Sequence, residues 1–445
     1  MNLPATIRTR TEAETALIEA FDATEHLLRG ACDLRAAAMA HFSAIGLPNR
    51  RVESWHYTDL RAMLREAAPI RAPDSFTLAR AHELLQGPGG QTHAIRLLVL
   101  NGAYRPDLSD LADLPAGVAV TSLSDELVAG DPEVLTALVG EGQGGDDAVV
   151  ALNAALMQDG IVVRVAPGAE IERPLALVNM MSGGAPHAAF VRSLVIVGAG
   201  ARVRLTETTT ACTPAATQAN EAMVLKIGDR ANVDYVTRVF AQGEGAIAVH
   251  SLLATVGADA HFNAFCFMPE VGLARRQIFA RLNGRRSNVR FGGLSLLRGR
   301  QHADTTLVVE HVAPDCTSRE FFRHILDHES TGVFQGKVVV RPNAQKTDGA
   351  MKSQAIMLVD DAVMNNKPEL EIFADDVVCG HGATVGQLDD DQIFYLQARG
   401  LPREEAESLL LEAFANEALD LIADEKLRAR FIDDTKAWLA QRGAK

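Results

Sequence analysis

Basic residues are in short supply: 43 lysines and arginines face 57 aspartates and glutamates, leaving a formal charge of -14 over 445 residues. That excess of negative charge is unsuited to gripping phosphate backbones, which excludes roles built on nucleic acid. Cysteine is scarce as well. Cys32, Cys212, Cys266, Cys316 and Cys379 are scattered, odd in number and without a CxxC pair, so they do not read as a disulfide framework. No apolar run reaches the length of a membrane span. The opening MNLPATIRTRTEAETALIEAF alternates charged with apolar residues and lacks the uninterrupted apolar stretch of a secretory signal. These absences point to the reducing cytoplasm. The sequence also lacks a GxxxxGK[ST] loop, a GxSxG elbow and an HExxH helix, so nucleotide hydrolysis, serine hydrolysis and zinc proteolysis find no support.

What is present is a soluble, globular balance of 47% hydrophobic and 22% charged residues. A chain of this length exceeds one ordinary compact core unless the fold is elongated. From Thr11 to Ile45, apolar residues including Leu17, Phe21, Leu27, Leu28 and Leu34 recur at helical spacing with no internal proline. Gly46-Leu47-Pro48 ends that run, and Trp55 to Leu60 follows as an aromatic-rich turn. The stretch from Leu97 to Gly160 mixes short apolar runs with glycine and proline and reads as an irregular connecting layer.

From Ile161 the texture changes to short runs of Val, Ile, Leu and Thr between glycine-containing turns, the pattern of successive strands. Five turns share a form, beginning at Pro167, Gly198, Gly228, Gly257 and Gly284 and recurring at roughly 27 to 30 residues. A β-solenoid accounts for that period, for the length and for the missing long helices. A β-sandwich is the alternative, which the regular period disfavours. After Asp391 the helical period returns, and Leu409, Leu410, Phe414, Ala418, Leu421 and Ile422 form an apolar stripe. Such a stripe either folds back on the solenoid or receives a partner.

Chemistry concentrates between Glu371 and Gln387, where Glu371, Asp375, Asp376, Cys379 and His381 lie close together. In a strand, Cys379 and His381 point to one face, so thiolate and imidazole could share a soft or borderline metal. Two ligands do not complete a site, because structural zinc and iron-sulfur clusters take four. A small apolar cysteine beside a turn histidine is the competing account. His302, His311, His324 and His328 lie near Asp304, Glu310, Asp315, Cys316 and Asp327 without a ligand spacing, and carry no assignment.

Several segments nevertheless resemble one known family. They are Lys346-Thr347-Asp348-Gly349, Lys367 through Val377, Cys379 with His381 through Gly386, Phe394-Tyr395-Leu396 and Arg399-Gly400-Leu401, with Gly46-Leu47-Pro48, Arg50-Arg51 and Glu53 through Leu60 upstream. These look like the SufB/SufD family of iron-sulfur cluster assembly scaffolds. Gly380-His381-Gly382 stands where SufB-like chains carry a Glu-His-Glu-type sequence, and Ser353-Gln354-Ala355 falls near their cluster-bearing cysteine, which favours the SufD branch.

The resemblance implies a mainly β fold: a right-handed parallel β-helix over residues 151–395, preceded by a helical and irregular region over 1–150 and followed by a helical region over 396–445. It implies a non-catalytic scaffold that pairs with SufB, receives the ATPase SufC on its C-terminal helices through Leu409, Leu410 and Phe414, and in isolation can form a homodimer. His381, with Cys379 beside it, matches the histidine at the cluster-forming SufB interface. The transient iron-sulfur cluster is shared with SufB, which supplies the thiolates this chain lacks, and the isolated chain holds none stably. Two rival readings are a β-helical carbohydrate-active enzyme and a self-contained metalloprotein.

Overall fold

A computed structural model describes residues 9–24, 30–72, 74–86, 93–139, 144–211, 213, 215–241 and 245–441. Cys212 and the helical positions Leu27 and Leu28 lie outside them.

The recurring turns are corners. At each, one residue takes the left-handed conformation: glycine at Gly168 and Gly200, then Arg230, Asp259, Arg286, Asp315 and Lys346 with φ between 55° and 62°. A side chain there costs roughly 1–2 kcal/mol. Each such residue donates its amide to the corner of the next coil: Gly200 to Asp229 at 2.7 Å, Arg230 to Ala258 at 2.7 Å and Asp259 to Arg285 at 2.9 Å. The stacking that builds the solenoid thus holds the strained backbone. From Gly200 onward the residue after each points inward and is small and buried: Ala201, Ala231, Ala260, Ser287, Cys316 and Thr347. Cys316 therefore occupies a small-residue corner, its Sγ 3.2 Å from Ser287 Oγ and donating to the Gly284 carbonyl at 3.2 Å.

Between corners the chain runs as strands, and each strand pairs in parallel with the strand of the next coil. Alternate strands therefore collect into two sheets, of ten and nine strands. Register is continuous over long stretches, for example from Ile247 opposite Leu273 to Val256 opposite Leu282. A narrow lumen lies between the sheets, filled by Leu205, Met223, Leu252, Phe262, Phe291, Leu307, Phe322 and Phe334. Each such side chain contributes about 1.5–3 kcal/mol by leaving water.

Both outer faces are covered too, which is why the strands read as apolar runs rather than alternating ones. Over the nine-stranded sheet lie helices Glu12–Thr24, Cys32–Ile45 and Ala148–Leu156, packed on Ala188, Phe190 and Val249. Asp147 caps the third of these through the amides of Val149 and Val150, and also accepts from Trp55 Nε1 at 2.8 Å and Gln277 Nε2 at 2.9 Å. The aromatic turn is clamped further: the Arg275 guanidinium lies 3.7 Å from the Trp55 ring, and both Arg275 and Thr58 donate to Asp304. Over the ten-stranded sheet lie Arg403–Leu419 and Glu425–Ala440, against Phe265, Phe267, Leu294 and Leu296.

The stretch read as irregular carries structure of its own. Ile95–Leu100 joins the ten-stranded sheet in parallel beside Leu175–Met181. Short antiparallel strands, Ala103–Tyr104 and Val118–Ser122, then close this end of the solenoid. Glycine and proline in the connections masked those strands from sequence reading. At the other end, Val363–Ile372 and Val378–Gly386 are the terminal strands of their sheets, with no further strand beside them among the described residues. No described helix is long and apolar enough to cross a membrane.

Candidate functional site

Strand Asp348–Met357 turns Gly349, Met351, Ser353 and Ala355 into the lumen. Its partner Val378–Gly386 sets Cys379 opposite Gly349 and His381 opposite Met351. The two residues thus share the lumenal face, as a period of two requires. This last coil has no coil above it, so Cys379 is half-buried and His381 is exposed. Burial pushes the Cys379 thiol above its ordinary range, with the charges of Asp348 and Glu320 adding to the shift. The same last coil carries exposed apolar side chains, Ile372, Phe373, Val378 and Val385. The acids of the segment do not converge on it: Glu371 pairs with Lys337 at 2.8 Å and Asp376 with Lys346.

The loosely clustered histidines are dispersed. His302 lies on the outer face of its sheet against Thr58 at 2.9 Å, and His328 is an exposed corner residue. His311 and His324 are buried, and burial holds both down to about 4. On the C-terminal helix, Leu409 is 48% exposed and Leu410 half-buried. Phe414 packs toward the solenoid beneath Arg323, 4.1 Å from its ring. The buried face is Ala406, Leu411, Ala415, Ala418 and Leu419, so most of the stripe is internal. Phe394 and Tyr395, at 71% and 56% exposure, are the more open apolar side chains of this region.

Deeper in the lumen lies a polar cluster that sequence reading missed. Glu221, His250 and Arg276 occupy one register column of the nine-stranded sheet, and Glu207 faces them from the other. Asn179 Nδ2 donates to both carboxylates at 3.0 Å, Tyr235 and His250 Nε2 donate to Glu207, and Thr209 donates to Glu221. Glu207, Glu221 and His250 present ligand atoms within 4.8 Å of one another. A metal does not fit this arrangement. Arginine only donates, so Arg276 against His250 Nδ1 makes that nitrogen an acceptor and leaves the proton on Nε2, which gives it to Glu207 at 2.7 Å. Burial and the Glu207 charge push Glu221 up to about 8. Burial pushes the Glu207 carboxyl up as well, opposed by the Tyr235 hydrogen bond, the Arg276 charge and the Asn179 hydrogen bond, so the Arg276 charge favours ionisation of Glu207 while Glu221 keeps its proton. The signal available in the sequence was charge in the middle of apolar runs, at Glu221, His250 and Arg276, spaced by the coil period.

Glu320 is different. It faces the lumen from strand Thr317–Leu326, two coils below His381 and one below Met351, and is 1% exposed. Neither carboxyl oxygen has a hydrogen-bond partner. Burial, eased by the neighbouring Ser318 hydroxyl and the Arg319 charge, pushes it up to about 8.

Fold and site together define an elongated parallel β-solenoid protein whose thiol and imidazole stand at an open end, rather than in an enclosed pocket. Residues 179–414 match the SufBD core domain of SUF system FeS cluster assembly, and residues 12–177 match the SufBD protein N-terminal region. The chain belongs to the SufBD family of the SUF system for iron-sulfur cluster assembly and is SufD-like. An iron-sulfur cluster assembly SufBD family protein of Synechocystis is 30% identical over 421 residues, covering 90% of this chain and 88% of the relative. The iron-sulfur cluster assembly protein SufD of Escherichia coli is 28% identical over 395 residues, covering 87% and 88%.

Proposed function

We propose that this chain is a non-catalytic scaffold subunit of the cytoplasm, which pairs with a SufB-type chain and the ATPase SufC to build nascent iron-sulfur clusters and pass them on. The observation that carries the reading is the open last coil. Its terminal strands offer unpaired backbone edges, flanked by exposed Ile372, Phe373, Val378 and Val385, with His381 exposed among them. An edge of this kind pairs with another chain, here SufB, or a second copy when the chain is alone. His381 and Cys379 supply half of a ligand set, so the cluster is a transient cargo completed by SufB thiolates. Neutral imidazole is the ligating form.

The C-terminal helical region receives SufC in this reading. Leu409, Phe394 and Tyr395 are the side chains it presents, while Phe414 serves mainly to seat the helix. Leu409→Asp is expected to weaken recovery of SufC with the purified complex and to leave SufB recovery unchanged.

The deciding experiment is complementation of cells lacking this chain. His381→Ala is expected to keep SufB and SufC co-isolation and to lower the activity of iron-sulfur enzymes, with Cys379→Ala lowering it less. Normal iron-sulfur enzyme activity with His381→Ala would remove His381 from the mechanism.

A further inference from the structure

We propose that the turn at residues 53–58 is a strap that sets the position of strand Val363–Ile372, the outermost strand of the nine-stranded sheet, and with it the edge that a partner strand meets. The proposal deepens the pairing role argued above and rests on it.

Two sequence segments that the function leaves unexplained meet here. Glu53 opens the aromatic turn and Lys367 lies in the middle of the last strand, 314 residues away, and the Lys367 ammonium donates to the Glu53 carboxylate. The pair completes a series. Gln277, Thr306, Gln335 and Lys367 follow one another in a single register column across four successive coils. The first coil reaches the strap through Arg275, whose Nη2 donates to the Ser54 carbonyl at 2.6 Å. The second does so through Asp304, which accepts from the Thr58 hydroxyl, and the third through Gln335, whose Nε2 donates to the same Ser54 carbonyl at 3.0 Å. Lys367 belongs to the fourth. One short turn therefore touches every coil from Leu273–Leu282 to Val363–Ile372.

The strap is firm and the strand it meets is thinly held. Trp55 and Thr58 are fully buried, and Arg275 and Asp304 are buried with them. That packed base holds Glu53 in place although its own carboxylate is exposed. In Val363–Ile372, by contrast, no residue is buried. The strand has a neighbour on one side only among the described residues, and Pro368 carries no amide to donate.

Magnitudes decide what the pair can do. An exposed ion pair adds little to the stability of a whole fold. Opening a single edge strand costs far less than unfolding the chain, so against that event the same contribution is a large fraction. Glu53 and Lys367 are thus positioning residues, which bear on where the edge lies rather than on whether the chain folds. An edge already fixed in place loses less freedom when a partner strand pairs with it, and so pairs more tightly.

The test is hydrogen–deuterium exchange of the full-length chain, read at peptides covering Val363–Ile372, with recovery of a SufB-type chain measured in parallel. Glu53→Gln and Lys367→Met are each expected to speed exchange there by about two- to fivefold and to lower recovery of the partner. Exchange in His302–His311 and the urea midpoint should stay as in the wild type. Lys367→Arg keeps the charge and should restore both readouts. Sodium chloride at about 1 M should bring the wild type to the level of Glu53→Gln, because an exposed pair is screened. Unchanged exchange at Val363–Ile372 in both Glu53→Gln and Lys367→Met overturns the strap. Faster exchange with undiminished partner recovery overturns the positioning role and leaves a structural brace. Failure of the pairing reading looks different: the wild type itself would recover no SufB-type chain while the exchange results stood.

Discussion

Glu207 and Glu320 are two carboxyl groups buried in one lumen, and they are treated in opposite ways. Glu207 sits at the centre of a network in which Asn179, Tyr235 and His250 donate to it and the Arg276 charge lies nearby. Glu320 has no hydrogen-bond partner and lies next to the open coil. Polarity inside a solenoid can therefore mean two things. Where every group is paired the cluster fixes how the coils fit together, and where a group is left over it is available to something else.

The largest effect that sharpens this contrast should come from Arg276. Arg276→Leu removes the cation from a completely buried network and leaves Glu207 uncompensated, with an expected loss of about 3–5 kcal/mol in urea unfolding. Glu320→Leu should act in the opposite direction, raising stability by about 1 kcal/mol, because it removes an unpaired polar group and adds apolar contact. Equal losses from the two substitutions would abolish the distinction between a structural and an available carboxyl.

The same contrast explains what could be read from sequence. The solenoid was legible because its corners repeat: a left-handed residue followed by a small inward one is a local demand, and Gly198-Ala199-Gly200-Ala201 and Gly228-Asp229-Arg230-Ala231 both meet it. The shared face of Cys379 and His381 was legible for an equally local reason, the alternation of a strand. The pairing of Glu207 with His250 was not, because it joins residues 43 positions apart across the lumen. Nor did Gln277, Thr306, Gln335 and Lys367 reveal themselves as one column, since register depends on corner lengths that vary from coil to coil. The C-terminal stripe was legible in part: Ala418 and Ile422 are buried and Phe414 and Leu421 pack beside them, while Leu411 and Ala415, one residue or about 100° on from Leu410 and Phe414, complete the buried face without having been read as part of it.

A further effect concerns protons, and its sign separates the paired cluster from ordinary carboxylates. Glu221 faces Glu207, Asn179, Thr209, His250 and Arg276, and its carboxyl is pushed from 4.5 up to about 8, first by burial and then by Glu207. Between those two values the folded chain keeps a proton that the unfolded chain has released. Stability from this group is therefore complete below about pH 4.5 and declines as the pH rises through about 8, opposite to a salt-bridged carboxylate. His311 and His324, held down to about 4 by burial, act on the acid side, where the unfolded chain gains protons first and stability falls below about pH 6.5. Glu221→Gln keeps an amide in nearly the same volume and leaves both histidines in place. Urea midpoints measured from about pH 6 to about pH 8.5 should therefore fall less steeply in the variant than in the wild type, while between about pH 6.5 and about pH 4.5 the variant should lose stability more steeply on acidification, because no Glu221 proton offsets those the unfolded histidines gain. Parallel curves on the alkaline side would mean that Glu221 carries no proton in the folded chain, and that the network balances its charge by another route.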